Sequence, residues 1–302
     1  MKPVIAIVGA GAVGCYYGGR LAQHGQSVHF LLRSGFEAAR KNGLVVRSPD
    51  GDFEIAPSRL NVYEHAGDMP KADLVIVALK TTANDQYQPL ITPLLRDGTH
   101  ILTLQNGLGN EDQLAALFGA QRILGGLAFV CINRHADGTI RHLDHGHIRI
   151  GDFAGPPGER THRLSEMFNA SRIRCDVLES LRYGRWEKLV WNVPFNGLGG
   201  ALDKTTDRLI ATASGRDLLK RIMLEVIAIA ASEGVKLPAD LPDRKIAETK
   251  TMGAYRTSMQ IDRQEGRAME IDSILLRPLE IARANGVAAP CMGMLYELAG
   301  LG

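Results

Sequence analysis

Short runs of apolar and β-branched residues recur along the first half of the chain. They cover residues 4–8, 27–32, 74–79, 101–104 and 124–132. An unbroken apolar run of this length is typical of a strand that is covered on both faces of a parallel sheet. A helix is predicted over residues 12–24, between the first two runs. This order of strand and helix indicates an α/β domain.

Two further segments alternate apolar and polar residues and predict hairpins added to this sheet. Residues 44–55 surround the tetrapeptide Ser-Pro-Asp-Gly at positions 48–51, which is a good signal for a turn. Residues 139–150 alternate around Asp-His-Gly at positions 144–146. We therefore expect the turn of the second hairpin at residues 144–146.

Strand-like runs stop near residue 179, and the remainder of the chain predicts helices. After an opening helix that begins near residue 180, these cover residues 215–234, 243–265, 269–284 and 290–299. We expect a Rossmann-type α/β N-terminal domain over residues 1–178 and an all-α C-terminal domain over residues 179–302. A cleft between two such domains is the usual place for a substrate.

Composition argues against nucleic acid and membranes as binding partners. The net charge is +2 over 302 residues with the charges interspersed, so the chain lacks the basic tract that neutralises a nucleic-acid backbone. No segment reaches the roughly 18 apolar residues of a membrane span. The four cysteines show no paired spacing, which is usual for free thiols in a reducing compartment. We predict a cytoplasmic protein whose partners include neither nucleic acid nor a membrane.

A glycine motif, Gly-Ala-Gly-Ala-Val-Gly, follows the first predicted strand and opens the first predicted helix. In a dinucleotide-binding unit, the first glycine (Gly9) permits the tight turn, the second (Gly11) lets the pyrophosphate approach the backbone, and the third (Gly14) lets helix pack on strand. The helix N-terminus then faces the anion. This arrangement predicts dinucleotide binding; the alternative is a glycine turn that serves packing alone.

The end of the second predicted strand indicates which dinucleotide is bound. An acidic residue there would hold the ribose 2′-hydroxyl of NAD, but the sequence has Arg33. An arginine suits a 2′-phosphate, so NADP is favoured over NAD; the alternative is a solvated surface arginine. Lys80 and Asn106 follow the next two strands, at the edge where open α/β sheets bind ligands. Both loops are expected to line the cofactor crevice.

Three histidines, His142, His145 and His147, lie on the second predicted hairpin. No cysteine, aspartate or glutamate accompanies them at a recognisable ligand spacing. We therefore interpret them as polar side chains of a solvated hairpin and predict no metal site.

The opening helix of the C-terminal half carries one polar stripe in an apolar surrounding. Lys188, Asn192 and Asn196 are four residues apart, a step of about 40° around a helix axis. A lysine with its ordinary pKa of about 10.4 is protonated at neutral pH and can give a proton to the alkoxide that hydride transfer creates. The asparagines can hydrogen-bond substrate oxygens. The alternative is a buried lysine that pairs with a structural carboxylate. Pro194 interrupts this helix and is expected to kink it.

These motifs together resemble the ketopantoate reductase (2-dehydropantoate 2-reductase) family. The resemblance rests on the glycine motif, on Ala-Leu-Lys ending at Lys80, on Leu-Gln-Asn-Gly around Asn106, on the Lys-x3-Asn-x3-Asn helix and on Thr-Ser-Met to Met-Glu-Ile-Asp at residues 257–272. It implies NADPH-dependent reduction of ketopantoate to pantoate, on the route to pantothenate and coenzyme A. It also implies an all-α domain of the 6-phosphogluconate dehydrogenase C-terminal-like kind.

The resemblance further assigns roles to individual residues. It implies that Lys188 is the general acid and that Glu270 holds the substrate hydroxyl and organises the lysine. Ser258 and Asn196, with Asn192 beside them, would bind the carboxylate or hydroxyl end of the substrate. The remaining residues are implied in cofactor binding: Lys80 and Asn106 near the nicotinamide, and Arg33 at the 2′-phosphate.

Ser258 and Glu270 are twelve residues apart, about 18 Å along an unbroken helix, which is too far to share one small substrate. We therefore predict a helix end at Gly266 and a new helix from about Ala268. The chain departs from the family pattern after Glu270, where Leu275 and Leu276 replace an Asn-Gly pair and Pro278 falls within a predicted helix. Gly197 stands in place of a proline. These departures predict a pocket of altered shape.

The sequence therefore predicts one function and leaves two alternatives. The first is the reduction of ketopantoate or a closely related small 2-keto acid. The second is a β-hydroxyacid or 6-phosphogluconate type of dehydrogenase, which also has a lysine followed four residues later by asparagine but lacks the Ser258 and Glu270 pair. The third is a non-catalytic NADPH-binding sensor. The sequence does not determine the oligomeric state, and a homodimer is compatible with it.

Overall fold

The computed structural model describes residues 2–301. Within that range the chain forms two compact units. The first contains the residues up to Gln105 together with Asn110–Leu181, and the second contains Asn106–Gly109 together with the residues from Arg182 onward. By its contacts, the loop 106–109 thus belongs to the second unit, an assignment that no sequence pattern predicted.

The first unit is built on one mixed sheet. In chain order its strands are β1 (Val4–Val8), β2 (Ser27–Leu31), β3 (Leu44–Arg47), β4 (Phe53–Ile55), β5 (Asn61–Tyr63), β6 (Leu74–Val77), β7 (His100–Thr103), β8 (Ile123–Arg134), β9 (Ile140–Asp152) and β10 (Cys175–Val177). Across the sheet the order is β4-β3-β9-β8-β7-β6-β1-β2-β5, and β10 pairs with β9. β1 lies between its parallel neighbours β2 and β6. The predicted parallel arrangement is confirmed for β1, β2, β6, β7 and β8, whereas β4 and β9 add antiparallel pairs.

Both faces of the central strands β1, β6 and β7 are buried, as the apolar runs predicted. The helices of the unit are α1 (Ala12–Gln23), α2 (Phe36–Asn42), α3 (Tyr87–Ile91), α4 (Asn110–Phe118) and α5 (Glu159–Ala170). In β1, Ile5 and Ile7 belong to one core cluster, whereas Ala6 and Val8 belong to another. Successive side chains of a strand point to opposite faces, so this division places β1 at the centre of two apolar layers.

The second predicted hairpin is wrong in its position. β9 runs without a turn through residues 144–146 and pairs antiparallel with β8, and the turn between these strands lies at residues 135–139, where His135 N donates to Thr139 O at 2.9 Å. At residues 145 and 146 the backbone takes φ values of +64° and +108°. The Asp-His-Gly signal therefore produces a β-bulge inside one long strand, because residues that accept positive φ serve bulges as well as turns.

The second unit is helical. Its helices are α6 (Leu181–Leu202), α7 (Thr206–Ile210), α8 (Ala213–Ser232), α9 (Leu241–Thr249), α10 (Ser258–Gln264), α11 (Arg277–Ala284) and α12 (Pro290–Gly300). A π-helical segment, Asp272–Leu276, precedes α11. The predicted helix over residues 243–265 is two helices, separated at residues 250–257. No helix within residues 2–301 is both long and apolar enough to cross a lipid bilayer.

Three sequence departures are explained by packing in this unit. Leu275 is fully buried in its core and does not line a polar pocket. Pro278 is buried and lies two residues after the π-helical segment, inside helical structure that runs without a break through residues 271–284, so its predicted position within a helix is confirmed. A Cβ on Gly197 would lie 2.6 Å from Leu295 Cδ2, so a glycine at this position lets α12 approach α6.

Candidate active site

The glycine motif has the backbone form that a dinucleotide requires. Gly9 has φ +93°, and a Cβ there would lie 2.5 Å from Leu79 N, while a Cβ on Gly14 would collide with Gly9 O. Beside Gly11, in contrast, no atom of the described residues lies within 4 Å of the Cβ position. The first and third glycines are thus required by close packing, and the second leaves open space at the N-terminus of α1, where backbone amides can bind a phosphate. These residues fit a dinucleotide.

The two predicted cationic residues of the first unit lie in loops after parallel strands. Arg33 follows β2 and is exposed, and among residues 2–301 no carboxylate forms an ion pair with it within 4.0 Å. Lys80 follows β6 and starts the 3-10 helix Thr81–Gln86. Both positions are at the carboxyl ends of strands, the ligand-binding edge of an open α/β sheet.

Lys188 lies on α6 and donates a hydrogen bond from Nζ to Asn106 Oδ1, 2.9 Å away. Part of its surface stays accessible, but the surrounding protein desolvates the ammonium group, and this lowers the pKa of Lys188 to about 7. The positive charge of Arg185 lowers the pKa further, and the negative charge of Glu270 raises it. The group therefore changes its charge close to neutral pH.

Asn106 is held in place by the π-helical segment. Leu108 N donates to Ser273 O at 2.9 Å. Gly107 has φ +82°, and a Cβ on it would collide with Ser273 O. Close backbone contact at residue 107 thus lets the loop 106–109 rest on the segment that follows Glu270.

The asparagines of the stripe are both buried, Asn192 with 6% and Asn196 with 3% of its surface exposed. The Oδ1 atom of Asn196 accepts hydrogen bonds from Ser258 Oγ at 3.1 Å and from Met259 N at 3.4 Å. The structure therefore brings Asn196 together with Ser258. Their pairing turns the Asn196 amide nitrogen, which is a donor only, away from Ser258.

The predicted helix end at Gly266 is confirmed. Gly266 has φ +64°, and α10 ends at Gln264. Helical structure resumes at Ile271, three residues later than predicted. Glu270 precedes it with 7% of its surface exposed. Its charge acts on Lys188, so the break brings Glu270 to the lysine.

Two features of this arrangement were missed in the sequence. Arg185 is buried, with 4% of its surface exposed, and its charge acts on Lys188. Its position three residues before the lysine, on the same helix face, was a usable signal. The contact of Gly107 with Ser273 had no such signal, because 166 residues separate the two positions in the chain.

His142, His145 and His147 all lie on β9. Among residues 2–301 no three histidine, cysteine, aspartate or glutamate side chains are placed to hold a metal ion. The prediction of solvated histidines is wrong for His142, which is buried with 3% of its surface exposed. Its Nδ1 pairs with Ser48 Oγ at 2.8 Å and its Nε2 with Asp144 O at 3.0 Å. His142 therefore ties the β3–β4 turn to β9.

Comparison with known proteins gives matches over nearly the whole chain. The family models described as ketopantoate reductase PanE/ApbA and its C-terminal domain match residues 5–155 and 180–301. A 2-dehydropantoate 2-reductase of Nostoc sp. is 41% identical over 97% of this chain and 92% of its own length. The crystal structure of a 2-dehydropantoate 2-reductase from Geobacter metallireducens superimposes with a TM-score of 0.96 at 45% identity, covering 98% of this chain and 99% of that one. A D-mandelate dehydrogenase with NADH and anilino(oxo)acetate shares the fold, with a TM-score of 0.89, at 24% identity.

Proposed function

The chain belongs to the ketopantoate reductase family, and from this premise we propose that it reduces ketopantoate to pantoate with NADPH. The observation that carries the proposal is the environment of Lys188. Its pKa of about 7, its hydrogen bond to Asn106 and the opposing charges of Arg185 and Glu270 prepare a group that can give up a proton at neutral pH.

Bound NADPH supplies the hydride that reduces the carbonyl carbon of the substrate. The oxygen then carries a developing negative charge, and the Lys188 ammonium group gives it the proton that completes the hydroxyl. The carboxylate of Glu270 favours the charged form of the lysine before this transfer, because its negative charge raises the pKa. Asn106, by accepting from Nζ, directs the ammonium group.

The substrate carboxylate is assigned to Asn196, Ser258 and Asn192. Since the Asn196 oxygen already accepts from Ser258 Oγ and Met259 N, its amide nitrogen is the atom that donates to a substrate oxygen. Uncharged donors bind a carboxylate without lowering the pKa of the neighbouring lysine further. This division of roles suits a small 2-keto acid, which presents a carboxylate and a carbonyl side by side.

The activity is tested by mixing the purified chain with NADPH and a panel of small 2-keto acids and following the loss of reduced cofactor. Ketopantoate is expected to be turned over fastest, with pantoate as the product. Faster oxidation of 3-hydroxy acids with NADP would instead support the β-hydroxyacid dehydrogenase alternative. NADPH binding without turnover of any member of either panel would support the sensor.

Replacement of the lysine tests its role. Lys188→Ala is expected to lower kcat by about 10²–10⁴, the range for loss of a general acid, while the Kd for NADPH changes little. Lys204→Ala, which removes an exposed lysine just after α6, is the matched control and should keep full activity. A Lys188→Ala enzyme that retained most of its kcat would contradict the assignment.

A cytoplasmic location and a homodimer complete the proposal. No disulfide joins the four cysteines within the described residues, which favours a reducing compartment. Met294 and Leu298 lie one turn apart on α12 with 68% and 41% of their surfaces exposed, and such residues are suited to contact a second copy. Light scattering measures the mass in solution, and the value of one chain, 32.8 kDa, would contradict the homodimer.

A further inference from the structure

An arginine of the β8–β9 hairpin reaches the glycine motif. Arg134, the last residue of β8, donates a hydrogen bond from Nη1 to the carbonyl oxygen of Ala10 at 3.3 Å. Ala10 lies between Gly9 and Gly11. The guanidinium group of Arg134 is therefore placed at the loop that is shaped for a dinucleotide.

The same guanidinium group lies against the loop that follows β2. A Cβ on Gly35 would collide with Nη2 of Arg134, so the arginine occupies the space that a side chain at residue 35 would take. Gly35 is two residues after Arg33. Two arginines from distant parts of the chain thus meet one short loop, at the strand end where a Rossmann fold binds the ribose 2′ position.

Neither arginine is neutralised by the protein. Among residues 2–301 no carboxylate forms an ion pair with Arg33 or Arg134 within 4.0 Å. Asp137, the acidic residue of the adjoining turn, accepts instead from Thr139 N at 2.9 Å. Of the five N–H donors of a guanidinium group, Arg134 uses one in the described structure.

Two other buried or partly buried arginines that form no ion pair within residues 2–301 use more of their N–H donors than Arg134 does. Arg20 donates to a glutamine side chain, a serine hydroxyl and a backbone carbonyl, and Arg263 donates to two backbone carbonyls. A partly buried guanidinium group that has neither a carboxylate nor several neutral acceptors is costly, and an anionic ligand would supply both the acceptors and the opposite charge. The geometry and the charge of Arg134 therefore indicate an anionic ligand.

We propose that Arg134 is a second phosphate-binding arginine, which together with Arg33 binds the 2′-phosphate of NADPH. The inference rests on the proposed function for the identity of the cofactor. From the sequence, the preference for NADP over NAD was assigned only to Arg33, in the loop after β2. The inference adds Arg134, at the end of β8. Two guanidinium groups can bind one phosphate through several charge-assisted hydrogen bonds at once.

The test compares Arg134→Gln with Arg141→Gln, which removes the same charge from an exposed residue on the neighbouring strand β9. The Kd values for NADPH and NADH are measured by titration of cofactor fluorescence. Arg134→Gln is expected to weaken NADPH about tenfold or more, as loss of a hydrogen bond to a charged group does, and to leave NADH within about twofold. Arg141→Gln should leave both Kd values within about twofold of the original chain.

The outcomes separate the inference from the proposed function. Equal weakening of NADPH and NADH by Arg134→Gln would overturn the inference, since the arginine would then act on the loop or the pyrophosphate common to both cofactors. Unchanged NADPH binding would overturn it as well, while the proposed function would stand. An original chain that bound neither cofactor would overturn both. Retained NADH binding by the variant shows that it is folded.

Discussion

Lys188 is an ionisable group in a helix whose following residues, 192–200, are all buried. Burial disfavours the ammonium form because it removes water from the charge. The charge of Arg185 acts in the same direction, and the charge of Glu270 acts against both. The balance brings the pKa from 10.5 to about 7, near the pH at which a general acid transfers protons most efficiently.

A pH profile tests this balance. Reduction needs the protonated lysine, so kcat/KM for ketopantoate should be highest below pH 7 and should fall as the pH rises through about 7. Oxidation of pantoate needs the neutral amine, so its kcat/KM should rise through the same pH. Steady-state rates in both directions measure the two limbs. Profiles in both directions that are flat between pH 6 and pH 9 would refute Lys188 as the proton donor.

Removing the carboxylate should move the profile. Glu270→Gln takes away the negative charge that raises the pKa of Lys188, so the inflection for reduction is expected at lower pH, with a smaller kcat/KM at pH 7. Glu280→Gln is the control, because Glu280 pairs with Arg277 at 2.7 Å on the exposed side of α11. If both variants gave the same inflection, Glu270 would have no electrostatic role at the lysine.

At the scale of elements, the site depends on two interruptions of regular helix. The break after α10, at Gly266, frees residues 267–270 from helix and so places Glu270 near the lysine. The π-helical segment that follows contacts the loop 106–109 through Ser273 O. Segments of π-helix change which backbone carbonyls have a helical partner, and here one such carbonyl accepts from Leu108.

Gly107→Ala tests this support. The new Cβ would collide with the Ser273 backbone and would also strain a residue with φ +82°, so Asn106 is expected to move away from Lys188. A displacement of about 1 Å can lower kcat about 10²-fold, and kcat for ketopantoate measures the loss.

Gly98→Ala is the matched control for that variant. Gly98 has φ +78° but no described atom within 4 Å of its Cβ position, so it carries the same strain without the collision. It should lose about 1 kcal/mol of stability and keep its kcat. Equal loss of kcat in both variants would show that strain alone, and not the contact with Ser273, disturbs the enzyme.

At the scale of the whole molecule, each unit has its own apolar core. The first unit buries the two faces of its sheet, and the second buries the inner faces of its helices. A ligand that binds only the folded chain raises the free energy of unfolding by mass action. Cofactor binding is therefore measurable as thermal stability.

NADPH at about 100 times its Kd should add about 2.7 kcal/mol, or roughly 4 °C in Tm for a chain of 302 residues. NADH at the same concentration should add less, because it lacks the 2′-phosphate that Arg33 is proposed to bind. Differential scanning calorimetry with each cofactor measures the two shifts. A larger shift with NADH than with NADPH would contradict the predicted preference for NADP.

Local patterns were sufficient for the central strands of the sheet, for α1, α6, α8 and α12, and for the chemistry of single segments. The apolar runs located β1, β2, β6, β7 and β8 because a strand buried on both faces must be apolar throughout. The glycine motif and the polar stripe of α6 could also be recognised, because the residues of each lie within one short segment of the chain. The fold class and the family followed from these features.

Local patterns could not predict the position of the turn between β8 and β9 or the burial of His142. They also could not predict which residues Gly107 and Arg134 contact. Asp-His-Gly is compatible with either a turn or a bulge, and the pairing of β9 along the whole of β8 selects the bulge. Arg134 meets Ala10 across 124 positions of the chain. Sequence periodicity reports which face of an element is buried, whereas these contacts depend on which elements pack together, and that choice is made by the whole core at once.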